Sequence, residues 1–423
     1  MLTENELIKF RRELHSYPET GWCEFVTTHK IVEKLRSFGL DPIYGRQVIN
    51  PDFVAGRNSA KVEEAKKAAL EKGVPPEFIE SMQDYTGVAA IFETGRPGPV
   101  LAIRFDMDCV DVDEAHEAGH RPFDEGWAST NPGHMHSCGH DGHATMGIAV
   151  CNWIQENLDQ FCGTIKVVFQ PAEEGVRGAR PMTETGIFDD VDFFFGNHLG
   201  FNLPTGTISP EPGVFLASTK LDATFTGLAA HSGADLQKGK NALLAGAAAA
   251  LAIHGITRPI GEVTALNVGT LVAGQGRNVV APNAFMQLEV RGETEELNAY
   301  MRDQAIRKIK ASADMYDCQV DIVKAGEATE FKPDQEAIEL AYIAARNVTT
   351  EELARPLGLK LGSEDCTIML RRVQQHGGKG TFVVFGCRTS AGHHQRLFDF
   401  DEDVIGIALR FYQNLIPMIV GIK

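Results

Sequence analysis

The sequence predicts an α/β fold in which a mixed, mostly parallel sheet with helices on both faces is interrupted by an inserted α+β domain. In the first half of the chain, short apolar runs alternate with helical patterns, as is typical of buried parallel sheets. From residue 214 the predicted order becomes β-α-β-β-α-β, the ferredoxin-like pattern. The α/β alternation returns after residue 326. We therefore expect a larger domain, residues 1–213 and 327–423, built around a smaller one, residues 214–326.

The larger domain opens with two predicted helices. Thr3 and Glu6 have the spacing of a capping box, which starts the first helix. The second is expected over residues 25–38 and stops at Gly39. Residues 47–85 are rich in Ala, Lys and Glu, and we interpret them as an exposed helical insertion. The strands predicted after the insertion are 86–93, 100–105, 164–170 and 192–196.

The helices and strands of the inserted domain and of the last α/β segment are predicted from the spacing of their apolar residues. In the inserted domain, strands are predicted at 219–226, 264–272, 284–291 and 319–324, with helices at 241–256 and 294–316. The last segment predicts a helix at 335–348, a strand at 381–385 and a final helix after Asp401.

Composition and charge exclude several classes of function. The 423 residues carry a net charge of -17, which argues against nucleic acid and anionic membranes as partners. No apolar run is long enough to predict a transmembrane helix, and the amino end has no secretory pattern. Eight scattered cysteines indicate reduced thiols, so we expect a cytoplasmic protein.

The segment His134-Met-His-Ser-Cys-Gly-His-Asp-Gly-His143 is the strongest chemical signal in the chain. It holds four histidines and a cysteine, side chains that bind borderline-soft divalent metals. Positions 134, 136, 138 and 140 would face one side of an extended backbone, before Asp141 and Gly142 end the extension and a buried helix follows. The alternative is a histidine-rich surface loop or unrelated core histidines. A zinc finger is disfavoured because the chain has no Cys-x-x-Cys pair.

Further ligand-type residues follow predicted strands. Glu173 and Glu174 come after strand 164–170, His198 after strand 192–196, and His393 and His394 after strand 381–385. Any of these alone is more typical of a solvated turn or a structural histidine. In open α/β sheets, however, ligands bind beyond the carboxyl ends of the strands, so the succession predicts one shared metal site.

The motifs also support a family resemblance. In chain order they are His136-x-Cys-Gly-His-Asp-Gly-His143, Gln170-Pro-Ala-Glu-Glu-Gly175, Asn197-His198, Ala230-His-Ser232, Asn278-Val-Val-Ala-Pro282, and His394 with Phe398-Asp-Phe-Asp-Glu402. The chain resembles, nearly end to end, the metallo-amidohydrolase family that includes aminoacylases, hippurate hydrolase, auxin-conjugate hydrolases and glutamate-releasing carboxypeptidases. The 47–85 insertion and the loop with Arg177 are most similar to members that hydrolyse p-aminobenzoyl-glutamate as one component of a larger assembly.

The resemblance implies a metal-dependent hydrolase of N-acyl or N-aroyl amino acids with two Mn²⁺ or Zn²⁺ ions per chain. The implied metal ligands are Cys138, His140, Glu174, His198 and His394. Glu173 is implied as the general base, which suits a carboxylate next to a metal-activated water. A nucleophilic role for Cys138 competes with this assignment and is disfavoured, since the ions would already occupy the sulfur.

The inserted domain is implied to act as a lid and dimerisation domain. His231 corresponds to the family's lid histidine, which polarises the scissile carbonyl across a dimer. Asn278 and Arg291 correspond to residues that hold the substrate carboxylate or oxyanion, and a guanidinium binds both carboxylate oxygens well. A homodimer, or a heteromer with a related subunit, is therefore expected.

Departures from the family pattern leave the substrate open. The chain has Asp106-Met-Asp-Cys-Val-Asp111 where Asp-Met-Asp-Ala-Leu-Pro is common, and Val176 and Arg177 follow the glutamate pair in place of glycines. His134, His136, His143 and His393 exceed the ligand number. The alternatives are a dipeptidase, a broad aminoacylase, or a non-catalytic metal or amino-acid binding subunit; Glu173 beside Glu174 favours an enzyme. A serine hydrolase and a nucleotide-dependent enzyme lack their motifs.

Overall fold

The computed structural model describes residues 1–360 and 362–422. Twelve α-helices occur within these ranges: α1 (Glu4–His15), α2 (Phe25–Arg36), α3 (Ser59–Glu71), α4 (Pro76–Met82), α5 (Arg121–Asp124), α6 (His140–Glu156), α7 (Ala179–Thr183), α8 (Ala242–His254), α9 (Glu295–Met315), α10 (Gln335–Arg346), α11 (Cys366–Gln375) and α12 (Asp403–Val420).

The same ranges contain thirteen strands: β1 (Ile43–Tyr44), β2 (Val88–Glu93), β3 (Val100–Asp106), β4 (Thr164–Gln170), β5 (Phe193–Phe201), β6 (Thr207–Ser209), β7 (Gly213–Val214), β8 (Ala217–Thr226), β9 (Thr264–Ala273), β10 (Asn283–Gly292), β11 (Gln319–Ala328), β12 (Leu359–Lys360) and β13 (Lys379–Cys387). The chain divides into two compact units. The large unit comprises residues 1–213, 332–360 and 365–422, and the small unit comprises residues 214–331 and 362–364.

The large unit is built on a mixed seven-stranded sheet with the order β1-β2-β4-β3-β5-β13-β6. Its four central strands, β4, β3, β5 and β13, run parallel, whereas β2 and β6 pair antiparallel with their neighbours. Residues 101–106 of β3 are all buried, so both faces of the sheet are covered. The predicted mixed α/β class is confirmed.

The small unit carries a four-stranded antiparallel sheet with the order β11-β8-β10-β9. Its apolar core includes Phe225 of β8, Ala249 of α8, Met286 of β10 and Ile309 of α9. Strand β9 lies at one edge of this sheet, and α8 is apolar on its outer side as well as its inner side, with Leu251 79% exposed.

Local sequence signals explain several helix boundaries. Thr3 Oγ1 accepts from the backbone N–H of Glu6, whose carboxylate accepts from the N–H of Thr3 at 2.8 Å, so the predicted capping box is confirmed. The 47–85 insertion contains α3 and α4, but it is not wholly exposed. Val62 and Met82 are buried, because each helix turns one apolar edge toward the rest of the large unit.

Two predictions near the metal motif were wrong. The backbone is not extended as far as residue 140: Met135 forms a single β-bridge with Val110, Cys138 lies in a turn, and α6 begins at His140, before the break expected at Asp141 and Gly142. Gly139 produces this bend with a φ of 88°, and a Cβ there would meet Leu199 Cδ1 at 2.8 Å. Strand β5 does not end at residue 196 but continues to Phe201, so His198 lies inside a strand.

Among the residues that the structure describes, one helix, α12, is long and apolar enough by length and composition to cross a membrane. Core helices of water-soluble proteins pass the same test. Phe411, Tyr412 and Leu415 of α12 are completely buried, and the helix packs against α6, α10 and β13 within the large unit. Its apolar residues are therefore used in the core.

Candidate metal centre and active site

The parallel strands bring the candidate residues of the large unit together. Strands β4, β3, β5 and β13 end at the same edge of the sheet, and α6 begins there. Each of these strands carries a candidate site residue or is followed by one, as expected for an open α/β sheet. The residues that this arrangement gathers are Cys138, His140, Glu173, Glu174, His198 and His394.

Two groups of possible metal ligands overlap at Cys138. In one, the ligand atoms of Cys138, His140 and His198 all lie within 4.8 Å of one another; in the other, those of Cys138, Glu174 and His394 do so. Cys138 Sγ is 3.4 Å from His198 Nε2, and His394 Nε2 is 3.1 Å from Glu174 Oε1. Sulfur, imidazole nitrogen and carboxylate oxygen together form a donor set suited to Zn²⁺ or a similar divalent ion.

Buried atoms without hydrogen bonds support a metal at this position. Both ring nitrogens of His140 are buried and make no hydrogen bond within the described ranges, while Nδ1 lies 3.4 Å from Asp108 Oδ1. Buried polar atoms normally have a partner, and an ion would supply one here. The imidazole of His198 is oriented for metal binding through Nε2, because its Nδ1 lies 2.7 Å from the Leu199 carbonyl oxygen. Its Nε2 is therefore left with a lone pair facing Cys138.

The four histidines of the motifs that are not expected metal ligands lie in different surroundings. His143 Nδ1 lies 2.5 Å from Asp106 Oδ1, and His143 Nε2 accepts from the Leu199 N–H, so both nitrogens are used. His393 Nε2 lies 3.3 Å from the Leu199 carbonyl, and His134 Nδ1 lies 3.2 Å from Asp111. These contacts give His143 and His393 roles in orienting the strand that carries His198. Fully buried His136 forms no hydrogen bond within the described residues.

Charges around the site shift several pKa values. Burial raises the pKa of the Cys138 thiol well above its ordinary value, and Glu174 and Glu173 add to the effect. Burial therefore opposes a thiolate at Cys138, and a cation bound beside the sulfur would stabilise that form. Burial opposes the charged form of His140, yet Asp106 and Asp108 raise its pKa to about 10. The pocket is thus rich in negative charge, as a site for cations requires.

Buried carboxylates hold the turn that carries Glu173 and Glu174. The Asp108 carboxylate accepts from the backbone N–H groups of both glutamates, each at 3.0 Å, and Glu24 accepts from the N–H of Ala172 at 2.8 Å. Asp365 accepts from the N–H groups of Gly178 and Ala179. This support allows Ala172 to keep a left-handed φ of 51°.

Sequence reasoning missed these supporting carboxylates. Asp106 is the last residue of β3 and Asp108 follows it, as Glu173 follows β4, so their position at a strand end was an available signal. Glu24 and Asp365 had no local signal, because 148 residues separate Glu24 from Ala172 and 187 separate Gly178 from Asp365.

The remaining predicted site residues lie in the small unit. His231 and Asn278 are neighbours there, since the N–H of Ser232 donates to the Asn278 carbonyl at 3.1 Å. Both side chains are exposed. Arg291 lies on β10, where its Nε and Nη2 bind the two carboxylate oxygens of Glu289 at 3.2 and 3.1 Å. Nη1 is the nitrogen of this guanidinium that Glu289 does not engage.

Fold and site together define a hydrolase of the metallopeptidase class, with a cation-binding pocket at the edge of a mixed α/β sheet. Comparison with known proteins assigns the family. Residues 102–417 match the model of the peptidase family M20/M25/M40, and the chain belongs to this family. The predicted family and the predicted enzyme class, a metal-dependent amidohydrolase, are confirmed.

Individual relatives extend over almost the whole chain. A homolog of the first subunit of p-aminobenzoyl-glutamate hydrolase, from Haemophilus influenzae, is 42% identical over 99% of this chain and 99% of its own length. An indole-3-acetyl-aspartic acid hydrolase from Enterobacter agglomerans is 43% identical over 96% and 93%, respectively. The crystal structure of an aminobenzoyl-glutamate utilization protein from Klebsiella pneumoniae superposes with a TM-score of 0.85 at 33% identity, covering 99% of this chain and 97% of that one.

Proposed function

We propose that the protein hydrolyses the amide bond of N-acyl or N-aroyl amino acids, with p-aminobenzoyl-glutamate and indole-3-acetyl-aspartate as model substrates. The observation that carries this proposal is the overlap of two donor groups at Cys138 beside the glutamate pair, in a chain of this family. Relatives named for these two substrates support the choice.

Two divalent ions, Mn²⁺ or Zn²⁺, fit the donor atoms of the large unit. Cys138, His140, Glu174, His198 and His394 would hold them. When bound, the ions supply a Lewis acid that polarises the amide carbonyl and lowers the pKa of the attacking water. The buried carboxylates Asp106 and Asp108 complete the negative charge around His140.

Glu173 is the residue that we assign to proton transfer. Its Oε2 lies 4.0 Å from His140 Nε2, and its backbone is held by Asp108, so the carboxylate is fixed at the edge of the donor groups. From there it takes a proton from the attacking water and passes it to the leaving amine nitrogen. Glu174, whose Oε1 faces His394, is assigned to metal binding.

The small unit is proposed to complete the site as a lid and to form the subunit interface. His231 would stabilise the oxyanion, while Asn278 and Arg291 would hold the substrate's α-carboxylate. The apolar outer side of α8 and the edge strand β9, with Leu251 and Val272 exposed, support association with a second copy or a related subunit. The eight free cysteines support a reducing, cytoplasmic location.

A hydrolysis screen tests the proposal. Protein loaded with Mn²⁺ or Zn²⁺ would be given p-aminobenzoyl-glutamate, hippurate, N-acetyl amino acids and dipeptides. We expect the aroyl amino acids to be cleaved fastest. Faster cleavage of dipeptides or N-acetyl amino acids would favour the dipeptidase or the broad aminoacylase. Metal binding without turnover of any substrate would favour a non-catalytic binding subunit.

A further inference from the structure

Arg177 is a cation beside the glutamate turn that forms no ion pair within the described residues. Its Nε donates to the carbonyl of Glu174 at 3.0 Å, and its Nη1 donates to the carbonyl of Gly56 at 3.0 Å. Both acceptors are neutral main-chain groups. The side chain is only partly buried, so the positive charge remains available to a ligand.

The surrounding backbone makes room for this guanidinium. A Cβ on Gly21 would lie 2.5 Å from Arg177 Nη2, and a Cβ on Gly175 would lie 2.9 Å from Arg177 Nε. Gly175 also has a φ of 88°, which side chains rarely adopt. Two positions without side chains therefore border the same guanidinium, and Arg177 is held in a defined place next to Glu174.

A second arginine lies next in sequence to the residue that Arg177 contacts. Arg57 directly follows Gly56, the carbonyl acceptor of Arg177. The Nη2 of Arg57 donates to the Asp84 carbonyl at 3.1 Å, and its guanidinium lies 5.2 Å from the centre of the Tyr85 ring. Its Nε is buried without a hydrogen-bond partner, and it too forms no ion pair within the described residues. In a chain with a net charge of -17, two arginines without carboxylate partners therefore belong to, or contact, residues 56 and 57, and such unpaired positive charge attracts anions.

We infer that Arg177 selects substrates with an acidic side chain, by binding the side-chain carboxylate of an N-acyl glutamate or aspartate, while Arg57 reinforces the positive charge. The inference rests on the proposed function and specifies its substrate class. It also gives a purpose to the 47–85 insertion, which supplies Gly56 and Arg57. A planar guanidinium fixed through Nε and Nη1 still offers Nη2 to a carboxylate oxygen.

Paired substrates test the inference. N-benzoyl-L-glutamate and N-benzoyl-L-glutamine have nearly the same shape and differ in the charge of the side chain. Steady-state kinetics would be measured for the wild type, Arg177→Ala and Arg177→Lys. Arg96→Ala is the matched control, because Arg96 also donates only to carbonyls, those of Phe161 and Leu158, and lies beyond the opposite end of β4.

We expect Arg177→Ala to lower kcat/KM for the glutamate substrate about 10- to 100-fold, mainly through KM, as loss of a charge-assisted hydrogen bond predicts. The glutamine substrate should be unaffected, Arg177→Lys should lose less, and Arg96→Ala should change neither. Equal losses on both substrates would show that Arg177 only supports the turn, and would overturn the inference, as would no loss on either.

A binding measurement distinguishes a failure of this inference from a failure of the proposed function. If the wild type hydrolyses neither these two substrates nor those of the hydrolysis screen, the proposed function fails, and calorimetric binding of L-glutamate and L-glutamine then tests Arg177 directly. A preference for glutamate that disappears in Arg177→Ala supports the inference. Equal binding of the two amino acids by the wild type would overturn it.

Discussion

Cys138 Sγ and His198 Nε2 lie 3.4 Å apart, although 60 residues separate them in the chain. Cys138 precedes the first residue of α6, and His198 lies within β5. They meet because α6 starts at the edge of the sheet toward which β5 runs. This contact joins the segment 134–143 to His198 of β5, and it makes a shared cation site at this edge of the sheet physically possible.

Substitution of Glu173 and of Glu174 by glutamine should have different effects on metal content. Glu173→Gln should retain bound metal and lose turnover by about 100-fold or more, because a proton acceptor is lost while the ligands remain. Glu174→Gln, the matched variant one residue away, should lose metal as well. Metal analysis and hydrolysis rates of both variants check the assignment. A Glu173→Gln protein that turns over normally would remove Glu173 from its role.

Gly139→Ala should damage the metal site more than an equivalent change elsewhere. The new Cβ would adopt an unfavourable φ and meet Leu199, which displaces the start of α6. Gly377→Ala is the control, since Gly377 has a φ of 91° but nothing within 4 Å of the added Cβ. We expect the control to lose about 1–2 kcal/mol of unfolding free energy with normal metal content. Equal metal content in both variants would contradict the expected displacement.

Stability should fall at alkaline pH through His15. This imidazole is buried; burial lowers its pKa, but hydrogen bonds with Asp141 and Glu114 outweigh this effect and raise the pKa to about 9. Since the folded-state pKa lies above the unfolded value, the stabilisation is complete below pH 6.5 and is lost as the pH rises through 9.

His15→Gln removes this titration. In chelator-treated protein, the unfolding free energy of the wild type should therefore decline, on the order of 3 kcal/mol, between pH 6.5 and 9 relative to the variant. Denaturant titrations across this range measure the difference. Parallel pH profiles for the two proteins would show that His15 is not charged in the folded state.

Sequence patterns predicted the helices and strands well where periodicity and capping act locally. Strands β3 and β4 are mostly apolar on both faces, interrupted by Arg104 and Lys166, so burial on both faces was largely visible in the sequence. Strand β5 was cut short because Asn197 and His198 interrupt its apolar run. The strand continues because these residues pair with Val383 and Val384 of β13, a contact that sequence alone does not contain.

The types of metal-ligating residue were predictable from the sequence, but the buried carboxylates that hold the glutamate turn in place were not. Histidine, cysteine and glutamate next to strand ends indicate a metal without any tertiary information. The places of Glu24, Asp108 and Asp365 depend on which backbone N–H groups the fold brings to them. The free charge of Arg177 is likewise visible only when its neighbours are known.

Metal stoichiometry tests the central claim most directly. Chelator-treated protein would be reloaded with Mn²⁺ or Zn²⁺, freed of excess metal and analysed by mass spectrometry of the elements, with Cys138→Ala and His198→Ala alongside. We predict about two ions per chain for the wild type and fewer for both variants. Fewer than two ions in the wild type, or an unchanged content in the variants, would contradict a two-ion centre at these residues.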